Sequence, residues 1–142
     1  AIGSDSHISV SPIEELRWLE YAQRLVKQQR AILANAQQPS VGANLWQRAA
    51  IGGARSIGRD CGVLEVGKRA DLLVLDTQQT SLFAHQPKHL LDSLVFASHS
   101  NPVADVMVGG RWVVREGHHQ QEEQVASGYR AVLRTLSSAL IS

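Results

Sequence analysis

Apolar residues recur at helical spacing early in the chain. Ile13, Leu16, Leu19 and Leu25 share one stripe, with Tyr21, Ala22 and Val26 at its margins, while Glu14, Glu15, Arg17, Gln23, Arg24 and Lys27 mostly take the other side. Ser11 stands before Pro12, and Glu14 follows three residues after Ser11. A serine hydroxyl can accept an orphan amide of the first turn, the glutamate can return the bond, and proline's missing N–H costs nothing at the first helical position. The pattern predicts a helix from Pro12 that continues through Gln28-Gln29-Arg30 to near Leu33, before Gln37-Gln38-Pro39-Ser40 breaks it. A second helix is predicted over 43–57, where Leu45, Ala49, Ala50, Gly53, Ala54 and Ile57 make a small-residue face and Gly58 ends the run. Gly52-Gly53 lowers helix propensity, so close packing against a neighbour is the expected reason for the pair.

After Gly58 the period changes. Gly62-Val63-Leu64-Glu65-Val66-Gly67 reads as a short extended piece closed by a turn, and Asp71-Leu72-Leu73-Val74-Leu75-Asp76 as a strand bounded by charges. Leu90 to Phe96 fits helix or strand. Asp105–Val108 and Arg111–Val114, joined by Gly109-Gly110, predict a hairpin, because glycine supplies the positive φ that a two-residue turn requires. Gln124 to Leu140 predicts an amphipathic helix through Val125, Tyr129, Val132, Leu133 and Leu136. There is no internal repeat. Ala1-Ile2-Gly3-Ser4-Asp5-Ser6-His7 reads as the end of a buried strand entering a polar loop with no strand body before it, so the chain is expected to be a piece of a longer protein.

Length, charge and thiol content narrow the class. The 142 residues, 44% of them hydrophobic, suffice for one ordinary core, and a net charge of +1 with scattered arginines gives no basis for nucleic acid or an anionic membrane as partner. A single cysteine, Cys61, forbids an intrachain disulfide, and no apolar run is long enough for a membrane helix. A cytoplasmic location is the expectation.

Several segments together resemble the amidohydrolase superfamily. Gly62-Val-Leu-Glu-Val-Gly-Lys-Arg-Ala-Asp-Leu-Leu-Val-Leu-Asp76 is similar to the motif by which its members re-enter a small β-sandwich, and Val106-Met-Val-Gly-Gly-Arg-Trp-Val-Val-Arg-Glu-Gly117 resembles the hairpin that follows. Ala50-Ile-Gly-Gly-Ala-Arg-Ser-Ile-Gly58 resembles the last helix of the superfamily's (β/α)8 barrel. Ser4-Asp5-Ser6-His7-Ile8-Ser9, with Pro12-Ile13-Glu14-Glu15-Leu16-Arg17-Trp18-Leu19-Glu20-Tyr21 after it, looks like the formiminoglutamate deiminase version of barrel strand eight and its helix; relatives acting on purines or triazines more often carry Gly-Thr-Asp-Gly there.

The resemblance implies an α/β fold: the C-terminal piece of a metal-dependent (β/α)8 barrel over 1–58, strands of a β-sandwich over 59–120 and a C-terminal helix over 121–142. It implies that Asp5, at the end of a barrel strand where such folds place reactive groups, contacts one divalent metal, expected to be zinc, whose other ligands are histidines upstream. Asp5 would accept a proton from the attacking water and return one to the departing nitrogen, releasing ammonia and formylglutamate. Read from residue type alone, Asp5 is more readily a turn or cap residue than a ligand. His7 either lines the pocket or braces Asp5, or is a solvated loop residue. The expected partners are a small-molecule substrate, the upstream remainder of the chain and, by superfamily habit, a second copy in a homodimer. The fragment alone is expected to be inactive.

The remaining candidates are set aside on geometry. His118 and His119 are adjacent and on a strand point to opposite faces. Pro87 separates His85 from His89, and no glutamate stands beside His85 to serve as base. His99 precedes a Ser-Asn-Pro turn, Cys61 has no paired group nearby, and Trp18, Trp46 and Trp112 read as packing residues. Asp71 is expected to satisfy backbone donors of the preceding turn. Two other readings stand beside the deiminase: the same chemistry on a purine or other aminated heterocycle, and a non-catalytic binding module.

Overall fold

Ser11 starts the first helix as its position predicts. In a computed structural model, which describes residues 1–141, helix α1 spans Pro12–Lys27, and the Ser11 hydroxyl accepts the Glu14 amide at 3.3 Å. Glu14 does not return that bond; its carboxylate takes the Ser9 hydroxyl, so half of the expected capping box forms. The helix also stops short of Leu33, at a left-handed Gln28 (φ 53°). The cause is Glu20, whose fully buried carboxylate accepts the amides of Ile32 (3.1 Å) and Leu33 (3.0 Å) and the Arg24 guanidinium (2.8 Å). With these amides satisfied by a side chain, the chain folds back over α1 instead of extending it.

Helix α2 spans Val41–Ser56, and the Ser40 hydroxyl caps it by accepting the Ala43 amide at 3.0 Å. Its end is a Schellman motif: Gly58, at φ 64°, donates to the Arg55 carbonyl at 3.2 Å, and Arg59 donates to the Ala54 carbonyl at 3.0 Å. The close approach expected at Gly52-Gly53 lies mainly elsewhere. A Cβ on Gly42 would sit 2.3 Å from the Leu91 carbonyl oxygen, and the Gly42 amide donates to Asp92 at 2.7 Å. A Cβ on Gly52 would sit 2.8 Å from the Ala1 backbone nitrogen, whereas a Cβ on Gly53 meets nothing among the described residues. Gly42→Ala must therefore push two backbones apart, and it is expected to cost about 1–3 kcal/mol, read as a lower urea midpoint of the intact protein; an unchanged midpoint would show that this contact yields freely.

The segment Leu90–Phe96 is helix, α3, entered through a 3-10 turn at Pro87–His89. Leu16, Val41, Leu45 and Val95 from the three helices form the core, with Leu33, Ala34, Trp46, Ala49 and Phe96 packed around them. Arg17, expected on the polar side of α1, reaches instead to the C-terminal end of α3, donating to the Val95 and Ser98 carbonyls at 2.7 Å each, where a cation suits the helix dipole.

Four antiparallel strands follow in sheet order β1 (Leu72–Leu75), β2 (Val103–Val108), β3 (Arg111–Arg115) and β4 (His118–His119). The hairpin is where the glycine pair predicts it: Gly109 and Gly110 take φ 57° and 81°, as a two-residue turn of this kind demands. Asp71 holds that turn, accepting the Gly109 amide at 2.7 Å and the Arg69 guanidinium at 2.9 Å, so its backbone donor lies across the sheet and not in the preceding turn. The Arg69 bond, then the Gly109 amide, holds the Asp71 carboxyl below its ordinary range. Residues 62–67 bend, run without strand pairing and close in a turn at Val66-Gly67; Gly62 (φ 88°) passes so close to α2 that a Cβ would lie 2.6 Å from the Ala50 carbonyl oxygen.

Helix α4 (Glu122–Ile141) is joined to the sheet through its first turn. Glu122 accepts the His119 amide at 3.0 Å and pairs with His118 Nδ1 at 2.6 Å, and that bond raises the His118 pKa above its ordinary 6.5. The sign follows: the pair's stabilisation is complete below the unfolded value and is lost as pH rises through the higher folded value. In histidine-labelled intact protein, His118 is expected to titrate above 6.5 by NMR and to fall back towards it in Glu122→Gln; equal titration in both proteins would remove the pair from this role.

Candidate active site

The polar loop before α1 is built around one turn. The His7 amide donates to the Ser4 carbonyl at 2.6 Å, which puts Asp5 and Ser6 at the turn's tip. Asp5 takes φ 40°, a left-handed conformation that aspartate tolerates better than most residues because its short polar side chain can bond locally. Its side chain is exposed and has no hydrogen-bond partner among the described residues. Asp5 is thus a turn residue, and a turn that leaves one carboxylate bare at its tip can also present it to a ligand.

His7 faces the other way. Its Nδ1 lies 2.7 Å from the Glu15 carboxylate, and its ring meets the Trp18 edge-on with centroids 6.5 Å apart. Trp18 in turn packs against Tyr21, Tyr21 stacks on Phe96, and the Arg24 guanidinium covers Tyr21 and Phe96 at 5.2 Å each. Asp5 and His7 therefore share a turn while their side chains are not joined; His7 ties the turn to α1. Ser9 makes a second tie through Glu14, and this hydroxyl bond is the main cause of the lowered Glu14 pKa. Beside the turn lies a cleft of about 160 Å³ lined by Ile2, Gly3, Ser4, Val10, Ser11, Pro12 and Glu15.

Glu14 and Glu15 are the anchors of this loop that periodicity misses. Acidic residues in a first turn already have a reason in the helix dipole, so nothing in their spacing marks them as anchors for a loop. The available signal was local: two carboxylates in the first turn, with Ser9 and His7 a few residues upstream. The other candidates are not brought together. His85, His89 and His99 are exposed, with His85 outside the turn that holds His89, and His118 and His119 each have their own partner, Glu122 and the Gln121 amide. Cys61 is a free, half-buried thiol. Among the described residues no group of three or more His, Cys, Asp or Glu could hold a metal ion, and no helix is long and apolar enough to cross a membrane.

Residues 1–113 match the model of the Amidohydrolase family. The chain is 49% identical over 135 residues, 95% of its length, to the formimidoylglutamate deiminase of Pseudomonas aeruginosa, of which it covers 30%. Its structure is similar to that of an amidohydrolase from Brucella melitensis, with a TM-score of 0.82 and 33% identity over 96% of this chain and 30% of that one. It is also similar to an adenosine deaminase from Xanthomonas campestris solved with bound zinc, at TM-score 0.70 and 26% identity over 94% of this chain and 30% of the other. The chain thus spans less than a third of the length of the relatives it matches.

Proposed function

Because the chain belongs to the amidohydrolase family, we propose that it is the C-terminal part of an enzyme that hydrolyses N-formimino-L-glutamate to N-formyl-L-glutamate and ammonia. The observation that carries this reading is the likeness to the Pseudomonas deiminase over nearly the whole chain, well above that to the adenosine deaminase. In this reading residues 1–58 close a (β/α)8 barrel, 59–120 contribute to a β-sandwich and 121–142 form the terminal helix. The apolar residues left exposed on α1 and the loop before it, among them Ile8, Val10, Leu19, Leu25 and Val26, support a missing layer above them.

Asp5 is the group that fits the chemistry. Its carboxylate is bare, and Gly3 and Ser4 before it are small enough to let a ligand approach. It would be one protein ligand of a divalent metal, zinc by the family's example; the others belong to the part of the protein before residue 1. A metal held there supplies Lewis-acid activation of water near neutral pH. As water adds to the formimino carbon, Asp5 takes its proton, and the same carboxyl returns a proton to the departing nitrogen, so that ammonia leaves and the formyl C=O remains. The His7–Glu15 and Ser9–Glu14 pairs hold the turn so that Asp5 need not reorganise during the transfer.

The test is product analysis by NMR. The intact enzyme should convert N-formimino-L-glutamate to formylglutamate and ammonia, and residues 1–142 alone should give no turnover. Glutamate and formamide as products, or no reaction with the metal-loaded enzyme, would defeat the proposal.

A further inference from the structure

Two arms of the chain meet at the Ser4–His7 turn, and Glu15 borders both. It lines the cleft together with Ile2, Gly3 and Ser4 of the incoming arm. Its carboxylate also takes His7 Nδ1, on the outgoing arm, at 2.7 Å.

Little else among the described residues restrains this turn. One backbone bond closes it, from the His7 amide to the Ser4 carbonyl. Just past it Ile8 is 100% exposed and Val10 89%, and the Ser9–Glu14 bond secures the loop only beyond the closing residue. Asp5, at the tip, holds φ 40°, a conformation that an L-residue leaves unless its surroundings fix it. The restraint therefore falls to His7, which supplies both the closing amide and the tie to α1. A ring fixed by Glu15 at Nδ1 and edge-on by Trp18 fixes where that amide lies.

A first-turn glutamate has no need of such a partner, since the helix dipole favours an acid there with its carboxylate in water. Glu15 does the opposite. Its side chain is only 19% exposed and turns back to a residue eight positions earlier. Its backbone is rigid: the Glu15 amide donates to the Ser11 carbonyl at 3.0 Å, and the next residue, Leu16, lies in the core. A core-held helix, a short bond and a ring thus lead to the one bare carboxylate of the turn.

We propose, on the part assigned to Asp5 in the reaction, that Glu15 is a positioning residue. Acting through His7, it holds the turn in the conformation that presents the Asp5 carboxylate to the metal and to the attacking water, without touching substrate itself.

Variants of the intact protein test this by two readouts, turnover and zinc affinity in competition with a chelating dye. Glu15→Leu keeps the bulk but removes the acceptor. It should lose about 10–100-fold in kcat at unchanged KM, and bind zinc about 10–100-fold more weakly. Glu15→Gln keeps an oxygen for Nδ1 and should stay close to the parent in both. His7→Phe keeps a ring beside Trp18 but has no Nδ1, and should repeat the loss. The double variant should lose no more than either single, because each removes the same tie. Parent-like kcat and zinc affinity in Glu15→Leu would overturn the proposal, as would a loss confined to KM, an equal loss in Glu15→Gln, or losses that add in the double variant. Should Glu15→Leu fail to fold, a parent-like His7→Phe overturns it instead. Zinc affinity is read without substrate, so an error in the substrate leaves that arm standing. Asp5→Ala is the reference: unchanged zinc affinity there would remove the part given to Asp5 and this role with it. Weakened zinc binding in Asp5→Ala beside a parent-like Glu15→Leu would remove this role alone.

Discussion

Asp5→Asn in the intact enzyme is expected to lower kcat roughly 10²–10⁴-fold while the protein stays folded and keeps much of its metal. Asparagine preserves the size of the side chain and one acceptor oxygen, but it cannot take the proton that water must lose or return one to the leaving nitrogen. The turn itself should survive, because its closing bond runs between the backbones of Ser4 and His7, and asparagine tolerates positive φ at least as well as aspartate. The loss should therefore appear in kcat, with circular dichroism and metal content close to the parent values. Near-parent kcat in a metal-replete Asp5→Asn protein would remove Asp5 from the proton transfer.

The largest effect on stability is expected at Glu20. Glu20→Ala leaves the Ile32 and Leu33 amides and the Arg24 guanidinium without their shared acceptor inside the helical core, which should cost about 3–5 kcal/mol. Glu20→Gln keeps one oxygen for one of the two amides, and should cost about 1–3 kcal/mol. Urea unfolding of the intact protein checks both, and the order matters as much as the size. If alanine were tolerated as well as glutamine, the carboxylate would not be what folds residues 28–33 back over α1.

Glu20 also shows where sequence reading stops. The start of α1, the glycine end of α2, strand β1, the Gly-Gly hairpin and α4 are all written in local signals, because caps, turns and strand alternation act over a few residues. A helix end set by a carboxylate that accepts an amide twelve residues further on leaves no such mark, so the pattern runs on past Lys27. Gly42 and Arg17 went unread for the same reason. Their partners, Leu91 in one case and Val95 and Ser98 in the other, are about fifty and eighty positions away. The α1 stripe is legible as amphipathic, yet in the structure only Leu16 is buried while Leu19 and Leu25 face outward. Of the site, residue type and resemblance together point to Asp5, but the Ser4–His7 turn and its ties to Glu14 and Glu15 come only from coordinates.

The most direct test of the account compares substrates. N-formimino-L-glutamate carries two carboxylates and a small cationic amidine, so its pocket needs donors for the acid groups; a purine needs an apolar or aromatic slot with a few bonds to ring nitrogens. Residues 6–11, the loop after Asp5, contain no tryptophan, tyrosine or phenylalanine to stack on a base. Ammonia release by the intact, metal-loaded enzyme should give a kcat/KM for N-formimino-L-glutamate far above that for adenosine, guanine or related amines. A higher kcat/KM for any of these heterocycles would contradict the deiminase reading, while the family and the part given to Asp5 would stand.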